Sequence, residues 1–478
     1  MRASAGTPPD DAAQVVVIIA DGARPDALAD AIGSGKLSAL ASLRDEGGLH
    51  TVTSTFPTVT GPAYAPFLLG RFPGDVGLPG LRWYDRSRQA ARMLGHARSY
   101  VGAEMGLIDN DLDPAAPTIF ELARPSIGAL SVIRRGLPKE NRIGRGARFI
   151  FRTALTHFRG NVRGWLQIDE MISDEVVRRI RNERPRYTLA ALTGIDKTSH
   201  AEGHESSLAA EALSIVDTTV ARIRADAERD GRWEKMQLWI TSDHGHSPVH
   251  FHEDLARLVE SPSRRVLSHP WAMRAKAEVA VMVSGNAMAH IYVELERGEK
   301  PGWTALAGRW HDLLLQLEGR DSVDLVLLPR ASGECEVRAS TRGTAMVSVS
   351  GGKYSYSHRT GNPLGVAEFE GLSLDDAHAA TLASDYPDGV VQIAHLAASP
   401  RSGDIILSAA RDWDFRARYE PIPHVSSHGA LHREHMLVPL LINRPATRTP
   451  LRTIDTMPSA LTALGIAIPS EVRGRSFV

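Results

Sequence analysis

The stretch Leu238-Trp-Ile-Thr-Ser-Asp-His-Gly245 constrains this chain most. A short apolar run stops abruptly at Ser242-Asp243-His244-Gly245. Such a run reads as a strand buried on both faces of a parallel sheet, its carboxyl end delivering a carboxylate and an imidazole side by side. Glycine then lets the chain turn away. In open α/β sheets ligands collect at the carboxyl ends of strands. An Asp–His pair there suits a metal of intermediate softness such as zinc, so other strand ends should offer matching groups.

They do. Val15-Val-Val-Ile-Ile-Ala20 is a second run of this kind and ends at Asp21-Gly22, before Pro25 opens a helix. Taken alone, Asp21 reads equally well as a helix cap. Phe56-Pro-Thr-Val-Thr-Gly-Pro-Ala63 is turn-forming and precedes an apolar stretch. It predicts a hydroxyl, Thr58 or Thr60, at a helix N-terminus, where backbone N–H groups favour an anion. After a strand at 187–192, Asp196 and His200 stand four residues apart, close enough on a helical turn to share one ion. A long helix then leads into the strand at 238. This strand–helix–strand alternation predicts an α/β fold, a doubly wound and mostly parallel sheet flanked by helices. The final apolar strand, 436–442, follows His424, His428, His432 and His435, and only His428 precedes glycine.

Elsewhere the rhythm breaks. Segment 134–163 holds nine Lys or Arg residues against one acid, Glu140, with Ile143, Phe149, Ile150, Phe151, Leu155 and Phe158 interleaved. Peripheral contact with a membrane or with anionic substrates is one reading. An arginine-rich solvated face over a packed apolar stripe is the plainer expectation. His246, His250 and His252 invite a metal reading, but Pro248 and polar neighbours predict a surface loop, and His204 likewise reads as a loop histidine. Strand-like alternation from 279 to 372 predicts an inserted α+β cap, and a strand follows at 404–408. The expected organisation is a catalytic core over 12–245 and 403–478, with a basic insertion at about 86–168 and a specificity cap at 246–402.

Composition removes several function classes. A net charge of −1 gives no footprint for nucleic acid. The single cysteine, Cys335, excludes an intramolecular disulfide framework and a cysteine-based zinc cluster. No apolar run reaches the roughly 18 residues of a membrane span, and residues 1–14 lack a basic region followed by an apolar one. The expected compartment is the cytoplasm.

Three carboxylates, three imidazoles and a hydroxyl are thus offered by Asp21, Asp196, Asp243, His200, His244, His428 and Thr60 or Thr58. They would furnish two ions with nitrogen and oxygen ligands, a pairing suited to in-line phosphoryl displacement. As a set they resemble the alkaline phosphatase superfamily, in particular its type I phosphodiesterase/nucleotide pyrophosphatase branch, which includes phosphonoacetate hydrolase. The family's Asp-Gly strand end is similar to Asp21-Gly22, and its Pro-x-x-Thr-x-Pro with a later Gly-x-x-Pro to 57–73, with Thr60 as nucleophile. Its Asp-x-x-x-His, Asp-His-Gly and late His-Gly are similar to Asp196 with His200, to 243–245 and to His428. The resemblance implies an alkaline phosphatase-like fold in which one zinc takes Asp196, His200 and His428. The other would take Asp21, Thr60, Asp243 and His244, and manganese or another divalent metal could replace zinc.

The chain departs from that pattern in one place. Nucleotide pyrophosphatases carry an Asn that helps hold a phosphate oxygen, where this chain has Leu81, and Val76 stands for a preceding His. Gly61, through its backbone N–H, or Arg82 would then hold the oxygen. A cysteine-derived sulfatase nucleophile is missing, and a serine–manganese mutase site fits poorly. The expected activity is hydrolysis of a small-molecule phosphodiester or pyrophosphate through a phospho-threonine. A phosphomonoesterase or phosphonate hydrolase is the alternative, and a non-catalytic binding protein on the same fold the rival.

Overall fold

The computed structural model describes residues 13–89, 95–269, 276–330, 333–416 and 424–478. The polar lead-in expected at the N-terminus lies, through residue 12, outside the described residues.

Two sheets dominate. The first has seven strands in the order Leu49–Thr53, Leu437–Ile442, Met236–Thr241, Gln14–Ala20, Tyr187–Leu192, Ser126–Ala129, Arg142–Ile143. All pairings among the last five are parallel, and Leu437–Ile442 alone runs against the rest. Gln14–Ala20 is buried throughout. Its side chains alternate: Val15, Val17 and Ile19 enter one apolar core, and Val16, Ile18 and Ala20 another. Helices Pro25–Gly33, Val162–Glu183 and Ser207–Arg229 cover the second face. The expected doubly wound, mostly parallel α/β sheet is what forms, because strands this apolar need helices on both faces.

The second sheet has nine strands, from Val266–Ser268 to Phe369–Leu372, and all but its first pairing are antiparallel. The strand expected at 404–408 forms at Ile405–Ala409 but pairs inside this sheet, between Met288–Val293 and Val323–Pro329. The cap therefore takes one strand from the stretch that was expected to belong to the core.

A small third sheet corrects another expectation. Ser247–His252 is a strand, not a surface loop, pairing with Ser426–Ser427 and with Asp412–Asp414. This pairing draws the end of the Asp243-His244 strand onto the segment that carries His428. The apolar stripe expected under the basic segment is also only partly packed. Ile143 is buried, whereas Ile150, Phe151, Leu155 and Phe158 on helix Ala147–Phe158 are exposed. No helix among the described residues is long and apolar enough to cross a membrane.

Candidate metal and catalytic centre

The carboxyl edge of the seven-stranded sheet gathers the candidate residues. Gln14–Ala20 ends at Asp21, Met236–Thr241 leads to Asp243 and His244, and Leu49–Thr53 leads to Thr60. Tyr187–Leu192 feeds helix Gly194–Glu202, which carries Asp196 and His200. Because Leu437–Ile442 runs backwards, the segment before it arrives at this same edge with His428. Gly245 serves close packing more than turning: a Cβ there would stand 2.1 Å from the Glu434 carbonyl.

The start of the Asp196 helix is anchored by Asp169, whose carboxylate accepts the Thr193 and Gly194 N–H groups at 2.9 and 2.7 Å. Burial pushes its carboxyl up to about 7, against the opposing pull of those two bonds.

Thr60 Oγ1 lies 3.4 Å from Asp21 Oδ1 and 3.3 Å from His244 Nε2. His244 Nε2 in turn stands 3.4 Å from Asp21 Oδ1 and 3.5 Å from Asp243 Oδ2. Asp243 is fully buried, and neither carboxylate oxygen finds a hydrogen-bond donor among the described residues. Burial raises the Asp21 carboxyl well above its usual range, and repulsion from Asp243 and Asp196 adds to it. Buried anions this close together cost several kcal/mol each unless a cation sits among them. The donor set of carboxylates, imidazoles and a hydroxyl therefore fits a divalent ion of zinc's character.

Asp196 centres a second group. Its Oδ1 lies 3.1 Å from His200 Nε2, 3.5 Å from His428 Nε2 and 3.0 Å from His246 Nε2. Burial opposes ionisation of Asp196, yet the positive charge of Lys197 beside it helps hold its carboxyl well below the usual range. The Nδ1 atoms of His200 and His428 face the carbonyls of Ser426 and Thr58, both at 2.8 Å. Each Nδ1 must donate, so each Nε2 presents a lone pair towards the centre. The two groups adjoin: ligand atoms of Asp196, His244, His246 and His428 all lie within 4.8 Å of one another, as do those of Asp21, Asp243 and His244. His244 and His428 stack with ring centroids 3.6 Å apart.

The remaining candidates fall elsewhere. Thr58 Oγ1 is buried, donating to the Ala430 carbonyl and accepting the Gly429 N–H, both at 3.0 Å. Thr58 is thus a latch behind His428. His204 pairs with Arg24 at 3.3 Å, as a loop histidine would. His250 and His252 pair with Asp412 and Asp414. Leu81 stands over the Thr60–Gly61 turn: its Cδ2 is 2.6 Å from where a Cβ on Gly61 would be. Arg82 is buried and donates through Nη1 to the Val283 carbonyl.

Sequence reasoning set His246 aside as a surface-loop residue, whereas it is fully buried and its pKa is driven down by burial to about 3. The signal was its place two residues beyond the candidate pair Asp243-His244 at a strand end. It also passed over His424, which stacks on His200 with centroids 4.4 Å apart.

Residues 15–319 match the model of the family described as type I phosphodiesterase / nucleotide pyrophosphatase. The chain belongs to that family. It is accordingly a phosphoric ester hydrolase of the alkaline phosphatase superfamily. Solved structures share the fold along nearly its whole length. Phosphonoacetate hydrolase from Sinorhizobium meliloti 1021, in complex with phosphonoformate, is 16% identical with a TM-score of 0.54, covering 95% of this chain and 97% of that one. Murine ectonucleotide pyrophosphatase/phosphodiesterase 5, in an inactive form in complex with AMP, is 14% identical with a TM-score of 0.54, covering 96% of both chains. Its human counterpart is 14% identical with a TM-score of 0.53, covering 95% of this chain and 96% of that one. No curated protein sequence matches the chain.

Proposed function

We propose that this chain hydrolyses a small-molecule phosphodiester through a covalent phospho-threonine at Thr60, in a centre that takes two zinc ions. Asp196, His200 and His428 would hold one ion, and Asp21, Thr60, Asp243 and His244 the other. The observation that carries this reading is the position of Thr60 Oγ1, within 3.4 Å of both Asp21 and His244. Bound divalent ions supply positive charge for the attacking and leaving oxygens of such a displacement.

The chain's own residues do the rest. Asp21 accepts the Thr60 hydroxyl hydrogen, which turns the oxygen lone pairs away from the carboxylate. Thr60 Oγ1 forms the bond to phosphorus as the phosphorus–oxygen bond to the leaving group breaks. The proton given up by the Thr60 hydroxyl is matched by one the leaving oxygen takes from solvent to depart as an alcohol. Water then cleaves the Thr60–phosphorus bond and restores the hydroxyl. Gly61 is the better placed of the two candidates for a non-bridging oxygen, because Arg82 is turned to the cap strand that carries Val283.

The cap forms one wall of the site. Ala287 N–H, in the turn between Val279–Ser284 and Met288–Val293, donates to the His428 carbonyl at 3.1 Å. Ser284 Oγ accepts the Leu81 N–H at 2.7 Å. Leaving-group specificity is therefore proposed to lie in this turn and in Leu81.

Leu81 also favours a second reading. An apolar side chain beside Gly61 offers no amide to a nucleotide phosphate, which favours a phosphonate or a monoester. The neighbours were solved with phosphonoformate and with AMP, so both classes occur among proteins of this fold. Metal analysis combined with rates on bis-p-nitrophenyl phosphate, p-nitrophenyl phosphate and phosphonoacetate separates the readings. About two zinc ions per chain and fastest turnover of the diester are expected. Fastest turnover of the monoester or phosphonate moves the substrate class, and a metal-free protein inert on all three overturns the reading.

A further inference from the structure

We propose that His246 is a further metal ligand, completing with Asp196, His200 and His428 a cage of four protein ligands around one ion. This rests on the metal-centre reading above and deepens it.

The tautomer of His246 is fixed by its neighbours. Ser426 Oγ donates its one hydrogen to the Ser247 carbonyl at 2.9 Å. It must therefore accept from His246 Nδ1, 3.1 Å away. A neutral His246 then has only a lone pair on Nε2, aimed at the Asp196 Oδ1 lone pairs 3.0 Å away. Two lone pairs at that distance repel unless a cation lies beside both. Protonating Nε2 would place an imidazolium at a fully buried position, among three other imidazoles whose ring centroids lie 4.9 to 5.6 Å away.

His246 shares with Asp196, His244 and His428 a group whose ligand atoms all lie within 4.8 Å of one another, a group that His200 does not join, and the edges from Asp196 Oδ1 to the three imidazoles of the cage have the length a shared ion requires. Bonds of about 2.0–2.1 Å give ligand-to-ligand edges of about 3.3–3.4 Å. The Nε2 atoms of His246, His200 and His428 stand 3.0, 3.1 and 3.5 Å from Asp196 Oδ1. The ring has room because residue 22 is glycine at φ +80°: a Cβ there would meet His246 Cδ2 and Nε2 at 2.9 Å and Asp196 Cα at 3.2 Å. A site with four permanent protein ligands, expanding to a fifth when the leaving oxygen arrives, should hold its ion more tightly than the neighbouring site, where one of the four ligands, Thr60, must remain reactive.

The test is zinc-edge X-ray absorption on the full chain loaded with zinc, with chelator competition on wild type, His246→Gln and the surface control His250→Gln. Four imidazoles per two ions are expected in wild type, with one ion resisting the chelator longer. In His246→Gln one imidazole should be lost and that resistant ion weakened at least about 100-fold, beyond what loss of a mere supporting contact carries. Glutamine keeps an N–H donor for Asp196, so unchanged affinity and imidazole count in that variant would assign His246 a positioning role and overturn the proposal. The wild-type count stands even if the variant fails to fold, and three imidazoles there overturn the proposal while leaving the metal centre intact. Wild-type protein that binds no zinc overturns the metal-centre reading itself.

A second surface lies on helix Ala147–Phe158. Phe151, Leu155 and Phe158 follow i, i+4, i+7 spacing and form one stripe, with Phe151 69% and Phe158 77% exposed. Arg148, Arg152 and Arg159 flank it, and residues 141–163 contain no acidic side chain. We infer that this helix docks on an anionic lipid bilayer, its aromatic stripe entering the interface and its arginines meeting the headgroups. The charge complementarity argues for lipid over a second copy, because two such helices would bring their arginines together. Co-sedimentation with phosphatidylcholine vesicles, with and without phosphatidylglycerol, tests this. Binding to the anionic vesicles alone is expected, weakened by salt and reduced at least tenfold in the Phe151→Ser, Phe158→Ser double variant, with turnover of bis-p-nitrophenyl phosphate unchanged. Failure to sediment with anionic vesicles, or a dimer in solution that the double variant dissociates, overturns it.

Discussion

Thr60 Oγ1 and His244 Nε2 stand 3.3 Å apart although 184 residues separate them in the chain. Two different strand ends of one sheet deliver them, so the contact exists only in the folded molecule. Thr60→Ala should lower turnover of bis-p-nitrophenyl phosphate on the order of 10³-fold or more while zinc content stays within one ion of wild type. Steady-state rates and metal analysis on the same preparation check this. Full turnover by the alanine variant would remove Thr60 from the chemistry.

Thr58 supplies the contrast. It is two residues away, yet its hydroxyl joins the Ala430 carbonyl to the Gly429 N–H behind His428. Thr58→Val leaves both buried partners unsatisfied, at a cost of about 1–3 kcal/mol each. The expected result is a thermal midpoint lowered by several degrees, with turnover reduced far less than in Thr60→Ala. Calorimetry and rates together separate the two threonines.

Part of this arrangement was readable in the sequence because Asp21, Asp243 and His244 sit where an apolar run stops. Ile19-Ala20-Asp21 and Ile240 to His244 announce strand ends directly, and Asp196 with His200 shows helical spacing. Sequence could not show which strand end meets which, and that is why His246 read as a loop residue. Its burial depends on Ser247 pairing with Ser427, 180 residues further along, which no local pattern encodes. Residues 405–409 failed for a related reason: an apolar strand reads alike in either sheet, and only its partners Met288–Val293 and Val323–Pro329 decide.

Asp169 gives the chain a pH-dependent anchor. Its folded carboxyl titrates at about 7 because it is buried, against roughly 4 when unfolded. Between those values the folded state keeps a proton that the unfolded state releases. This group's contribution is therefore full below about pH 4 and is lost as pH rises through 7, with an upper bound on the order of 4 kcal/mol. Thermal midpoints of the metal-free protein at pH 5 and pH 8 should differ more in wild type than in Asp169→Asn. An equal pH difference in the two proteins would show that Asp169 titrates normally.

Leu81 is where substrate choice can be moved without touching a metal ligand. Its side chain abuts Gly61, next to Thr60, and its backbone N–H is already held by Ser284. Leu81→Asn matches leucine in heavy-atom count and branching, though smaller in volume, and keeps that backbone bond, but turns an amide towards the place a non-bridging phosphate oxygen would occupy. A site that hydrogen-bonds such an oxygen gains most on substrates that present it in the displacement geometry. The expected outcome is a kcat/KM for nucleotide diesters raised on the order of tenfold relative to phosphonoacetate, with zinc content unchanged. Parallel rate measurements on the two substrates for wild type and variant read this ratio directly. A ratio that stays constant while both rates fall would mean that Leu81 only packs the turn, and that specificity lies in the cap around Ser284.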